Sequence, residues 1–114
     1  MPQREDVVRL SHMLDAAREA VSFVRGKQRS DLEGDRKLVL SLVRLVEIIG
    51  EAATQVTKEL QETHTEIPWA LIIGMRNRLI HAYFDVDIDR VWDTVKEDLP
   101  PLIVQLEKIV PSNM

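Results

Sequence analysis

The chain has no cysteine among its 114 residues. That excludes disulfides and thiolate metal sites, and it suits a reducing compartment. Its four glycines and five prolines fall mostly near plausible element boundaries, with no low-complexity linker between them. The longest apolar runs are a few residues, far short of the ~20 that span a bilayer. The first residues, "MPQREDVVRL", bring charge too early for a secretion signal, so a cytoplasmic protein with no membrane partner is expected. Three scattered histidines, His12, His64 and His81, offer no ligand spacing, so neither a metal nor another cofactor is expected. His12 and His64 read as surface residues. Trp69 and Trp92 read as packing anchors, since neither lies in a basic stretch suited to base stacking. A net charge of −4 argues against broad nonspecific nucleic-acid binding but leaves room for a local basic cleft.

What is present describes a globular chain. Hydrophobic residues make up 45% and charged residues 30%, a balance that supports a core and excludes disorder. The length fits one domain over residues 1–114, and folding at this size removes roughly two-thirds of the unfolded chain's surface from water.

The apolar residues recur at helical period. Val7, Leu10, Leu14, Ala17, Val21 and Val24 form one stripe, which predicts a helix over about 4–25 with Gly26 as its C-cap. Ser30 and Glu33 have capping-box spacing for a short turn. A second helix is expected from near Asp35 to near residue 62. Its stripe is Leu38, Leu42, Leu45, Ile49, Ala52 and Val56, widened by Val39, Val43, Val46 and Ala53. So broad an apolar face belongs at the centre of a bundle or in a subunit contact. Gly50 interrupts it at a cost of ~1 kcal/mol relative to alanine, which suggests close approach of another helix. Pro68 suits the first turn of a third helix running to about His81. "FDVDID" reads as a loop with Asp87 or Asp89 available as N-cap for a fourth helix from Ile88. Pro100 and Pro101 must end or kink that helix, and Pro101 can start a last one through Ile109. No strand alternation competes. The expected fold is all-α, a four- to five-helix up-and-down bundle.

The chemistry concentrates in "RNRLIHAYFD", residues 76–85, which follows the apolar "PWALIIGM". On a continuous helix Asn77 and His81 share a face, Arg78 neighbours His81, and Arg76 shares a face with Tyr83. Arg76 and His81 would stand about 140° apart, so they meet at one ligand only from the flanks of a groove or where the helix frays. An arginine fork can hold a phosphate, and a neutral histidine can take a proton from a ribose 2′-hydroxyl or give one to a leaving oxygen. Arginine stabilises the developing charge, so this chemistry requires no metal. In-line cleavage benefits from two proton-transfer groups, and the segment supplies one. A two-fold dimer would supply the second. Glu51, in the otherwise apolar "IGEAA", is either a surface charge, a partner for an arginine of the third helix, or a carboxylate that orients Arg76 or His81.

The order Arg76-Asn77-x-x-x-His81-x-Tyr83 resembles the signature of the HepT-like branch of HEPN-domain RNase toxins. "EIIGEAA", "EIPWALIIGMRNRLIHAYFDVD" and "VWDTVKEDLPPL" resemble it too, so the likeness covers nearly the whole chain and is weakest over residues 26–37. The resemblance implies a helical HEPN-like bundle that dimerises with the motifs at the interface, and a metal-independent RNase toxin of a type II toxin–antitoxin module. It implies an MntA-like minimal nucleotidyltransferase antitoxin as partner. Arg76 and His81 would be catalytic and Asn77 supporting. Tyr83 would accept AMP, which would place a bulky anion two residues from His81 and repel RNA. The alternative reading is a non-catalytic helical subunit that binds a nucleotidyltransferase together with nucleotide or substrate.

Overall fold

The computed structural model describes residues 3–82 and 85–111. Helix α1 (Arg4–Phe23) lies along α2 (Arg36–Thr54), and α7 (Leu99–Ile109) packs against α1. Between them come α3 (Lys58–Thr63), α4 (Trp69–Ile73), α5 (Met75–Leu79), a two-stranded antiparallel pair β1 (Ile80–Ala82) and β2 (Asp85–Val86), and α6 (Ile88–Asp93). A 3₁₀ turn (Arg29–Leu32) joins α1 to α2. The fold is all-α apart from the small hairpin, as the periodicity predicts.

Helix α2 is the central element. It buries Val39, Leu42, Val43, Leu45, Val46, Ile49, Gly50, Ala52 and Ala53, and it is flanked by α1, α4, α5 and α6. Its broad apolar face is therefore covered within one chain, and the breadth by itself does not call for a subunit contact. Gly50 serves the close approach expected of it. A Cβ there would stand 3.3 Å from the carbonyl oxygens of Ile72 and Ile73, so glycine lets the end of α4 reach the backbone of α2.

Several boundaries depart from the sequence expectation. The second helix stops at Thr54, not near residue 62. Thr57 starts α3 by accepting from the Leu60 amide, while its own amide and hydroxyl donate to Asp6 at 2.9 and 2.6 Å. Asp6 is 2% exposed on α1. A buried carboxylate needs donors, and these two come from a residue 51 positions away. The Gln61 amide then donates to the carbonyls of Ala53 and Val56, covering groups left open where α2 ends.

The third helix does not run to His81. It is broken at Gly74 into α4 and α5, and helical geometry ends at Leu79, where Ile80 turns extended. Ile80 and Ala82 instead pair with Val86 and Asp85, a strand pair that no alternation in the sequence announces. The capping box of the 3₁₀ turn uses Gln28 and Asp31, not Ser30 and Glu33: the Asp31 carboxylate accepts from the Gln28 amide at 2.7 Å. The first helix ends at Phe23 with Val24, not Gly26, as its C-cap, and Gly26 takes the left-handed conformation (φ 76°) two residues further on.

Pro100 and Pro101 neither donate nor interrupt. The chain widens into a π turn over Thr94–Asp98, where the Leu99 amide reaches the Thr94 carbonyl, and α7 follows with the prolines in its first turn, where amide donors are not needed. Helical geometry thus continues from Ile88 to Ile109. Trp69 is buried and donates from its indole to the His64 carbonyl, whereas Trp92 is half-buried with Lys96 over its ring. His12 is exposed, and His64 is half-buried with Glu66 at 3.1 Å. Among the described residues no helix is long and apolar enough to cross a membrane.

Candidate active site

The motif occupies the place where α5 turns into β1. Met75 and Leu79 are buried, anchoring α5 in the core, so Arg76 and Asn77 between them face outward. One extended residue later, alternation across the strand turns Ile80 toward the core and His81 away from it. Because the helix ends at Leu79, the 140° separation of a continuous helix does not govern Arg76 and His81. The frayed-end geometry is the one adopted.

Each of the two holds a carboxylate on one side and is open on the other. The Arg76 Nε lies 3.3 Å from Glu47 Oε2 on α2, its Nη1 donates to the Asn77 side-chain oxygen at 3.5 Å, and the side chain remains 45% exposed. His81 Nε2 lies 3.3 Å from Asp87 Oδ2, and the imidazole is 62% exposed. Asp87 caps α6: its Oδ1 accepts from the Arg90 amide at 3.0 Å, and its own amide donates to the Leu79 carbonyl at 2.7 Å. The Arg90 amide, together with the charge of His81, holds the Asp87 carboxyl below the usual carboxylate range, against the opposing effect of partial burial.

Glu51 does not stand against Arg76 or His81. Its carboxylate is exposed, 3.9 Å from Arg44, and Arg44 pairs in turn with Glu47. The carboxylate that meets Arg76 is Glu47, one helical turn earlier on the same face of α2. Arg78 points elsewhere: its Nη2 donates to the Leu71 carbonyl at 2.7 Å and passes beside Gly74, where a Cβ would lie 3.6 Å from Nη1. It braces α4 against α5, and any help it gives the motif is through the backbone. Tyr83 lies outside the described residues.

Sequence reasoning missed Glu47 and the second duty of Asp87. Asp87 had a readable signal, since a capping aspartate uses one oxygen on the helix and keeps the other for a neighbour such as a histidine six residues earlier. Glu47 had none that separated it from Glu51. Among the described residues no three histidine, aspartate or glutamate side chains converge as a metal-binding group.

The arrangement offers a phosphate-binding fork on α5 and an exposed proton-transfer group on β1, each beside a carboxylate. The profile of the family described as Ribonuclease HepT-like matches residues 13–109, which include all of these groups. A Caldanaerobacter subterraneus protein with RNase in its name is 38% identical over 101 residues, covering 89% of this chain and 90% of that one. A Thermococcus cleftensis protein named probable ribonuclease HepT is 36% identical over 105 residues, covering 92% of this chain and 90% of its own. A Methanocaldococcus jannaschii protein, also with RNase in its name, is 32% identical across 96% of this chain and 91% of its own length. No solved structure gives a significant match.

Proposed function

Because the chain belongs to the HepT-like family and is a ribonuclease, we propose that it is the toxin of a toxin–antitoxin pair, cutting RNA at a composite site built from Arg76 and His81 of two copies. The observation that carries this reading is the placement of Arg76 and His81. The family match spans both, and both side chains reach solvent, each with a carboxylate on one side only.

In the reaction proposed, the free side of His81 takes the proton of a ribose 2′-hydroxyl. The 2′-oxygen attacks the adjacent phosphorus, the bond from phosphorus to the 5′-oxygen breaks, and a 2′,3′-cyclic phosphate remains on the upstream fragment. The leaving 5′-oxygen takes its proton from the second copy of His81. The guanidinium of Arg76 holds the phosphate and stabilises the charge that builds on its free oxygens, a task an arginine performs without a metal. Asn77 steadies the arginine fork. The motif supplies one histidine per chain, which is the reason a dimer is required, and two-fold symmetry delivers the second.

The same proposal places control at Tyr83, with a minimal nucleotidyltransferase as the cytoplasmic partner that transfers AMP to its hydroxyl. The sequence supports this by position: Tyr83 follows His81 by two residues, so an added nucleotide would bring negative charge next to the groups that must bind RNA.

The test has two arms. Purified protein incubated with RNA in EDTA should yield fragments ending in a 2′,3′-cyclic phosphate, and Arg76→Ala or His81→Ala should lower cleavage by about a hundredfold or more with unchanged thermal melting. Co-expression with a minimal nucleotidyltransferase of the proposed class should add AMP mass to Tyr83 and abolish cleavage. Wild-type cleavage by both variants would remove the catalytic assignment. A partner that neutralises the chain without adding mass would remove the modification.

A further inference from the structure

The contact between His81 and Asp87 suggests a role for a residue that is otherwise only a helix cap. Asp87 uses its two oxygens differently. Oδ1 accepts from the Arg90 amide and is committed to the N-terminus of α6, while Oδ2 faces His81 Nε2 at 3.3 Å. The backbone of Asp87 is also tied down, because its amide donates to the Leu79 carbonyl across the base of the hairpin. The carboxylate is therefore held at both its backbone and one oxygen, leaving the other 3.3 Å from the imidazole nitrogen.

We propose that Asp87 is the positioning residue for His81, selecting the tautomer whose hydrogen sits on Nε2 and leaving Nδ1 as the nitrogen that exchanges protons with RNA. The inference rests on the ribonuclease reading of the site and deepens it. An ionised carboxylate only accepts hydrogen bonds, so it favours the imidazole form that donates from Nε2. When His81 takes a proton during the reaction, the same carboxylate stabilises the resulting cation without moving. Contacts of this kind tighten when substrate is bound, so 3.3 Å in the free protein suffices for the role.

Its capping duty gives a clean way to separate structure from positioning. Asparagine caps a helix about as well as aspartate. In Asp87→Asn the side-chain oxygen must stay on the Arg90 amide, since only an oxygen can accept there. That leaves the amide nitrogen, a donor, facing His81 Nε2, which reverses the favoured tautomer. Asp87→Ser caps through its hydroxyl and removes the carboxylate without offering an amide donor.

The experiment compares wild type, Asp87→Asn and Asp87→Ser by thermal melting, RNA cleavage and nitrogen-15 NMR of the His81 ring at a pH where it is neutral. Both variants should stay folded, with melting lowered only by the small share that the ionised carboxylate contributes. The kcat should fall about tenfold or more with KM nearly unchanged. The NMR should show the hydrogen on Nε2 in wild type and a shift toward Nδ1 in Asp87→Asn. Wild-type kcat in both variants, or an unchanged tautomer in Asp87→Asn, would overturn the proposal. Activity that falls only in step with lost folding would also overturn it, reducing Asp87 to a cap. If wild type cuts no RNA, the ribonuclease reading fails instead, and the NMR comparison still decides whether Asp87 orients the ring.

Discussion

Glu47 and Arg76 meet at 3.3 Å across the α2–α5 contact, while Glu51, one turn further along α2, reaches only toward Arg44. The two glutamates are chemically identical and share a helix face, yet they should behave differently on substitution. Glu47→Gln frees one side of the arginine fork, so kcat/KM for RNA cleavage should fall by about three- to tenfold. Glu51→Gln should leave it near wild type. Both pairs are half-exposed, so neither variant should move stability by more than about half a kcal/mol in a denaturant titration. Equal kinetics in the two variants would dissociate Glu47 from the site.

Gly50 should tolerate no side chain. In Gly50→Ala the added methyl meets two backbone oxygens at 3.3 Å, and backbone cannot swing away as a flexible side chain can. Overpacking of this kind costs about 1–3 kcal/mol, of which improved helix propensity returns about 1. A net loss near 1 kcal/mol should appear as a lower urea midpoint with an unchanged slope. Stabilisation would show that α4 can retreat from α2 without loss.

Asp6 and Thr57 should be energetically coupled. Asp6→Ala strands the half-buried amide and hydroxyl of Thr57, which costs about 1–2 kcal/mol. Thr57→Val removes the α3 cap as well as one donor, at about 1–2 kcal/mol. The double variant should be less destabilised than the sum by about 1 kcal/mol, read from a double-mutant cycle in urea. Strict additivity would mean that the two groups stabilise the fold independently.

The Asp87 carboxyl gives the fold an acid dependence of known sign. Its native value lies below the ordinary 3.8, so the folded state binds that proton less readily than the unfolded chain. The stability it contributes is fully present above the unfolded value and is lost as pH falls through the native one. Asp87→Asn keeps the cap and cannot titrate. The advantage of wild type over this variant should therefore be present near pH 5 and shrink on acidification below about pH 4. A gap that stays constant down to pH 3 would show that the carboxyl is not held low in the folded protein.

The helices were readable because burial writes them into the sequence at a period of three and four: the α1 stripe from Leu10 to Val24 is buried almost as spaced. The boundaries were less so, because they depend on contacts between distant residues. Val56 and Leu60 continue the apolar period of α2 and are both buried, so nothing local marks the break between them. What marks it is Asp6, which claims Thr57 from the far end of the chain. The same holds at Leu79, where Ile80 leaves the helix to pair with Val86. The residue types of the site were legible as a motif. The carboxylates facing them were not, since choosing Glu47 over Glu51 requires the angle at which α5 crosses α2.

Among the described residues, no fully buried side chain lies between Leu79 and Val91. Ile80, Val86 and Ile88 only lean on the core from its edge. The described residues of the segment that carries His81 are thus fastened mainly at its two ends and contribute little to the core. Its chemistry can be exchanged the way a bit is changed in a drill, with the body left as it was. Substitutions that would be ruinous in α2 should therefore leave the melting of the bundle nearly unchanged when made at the exposed described positions here.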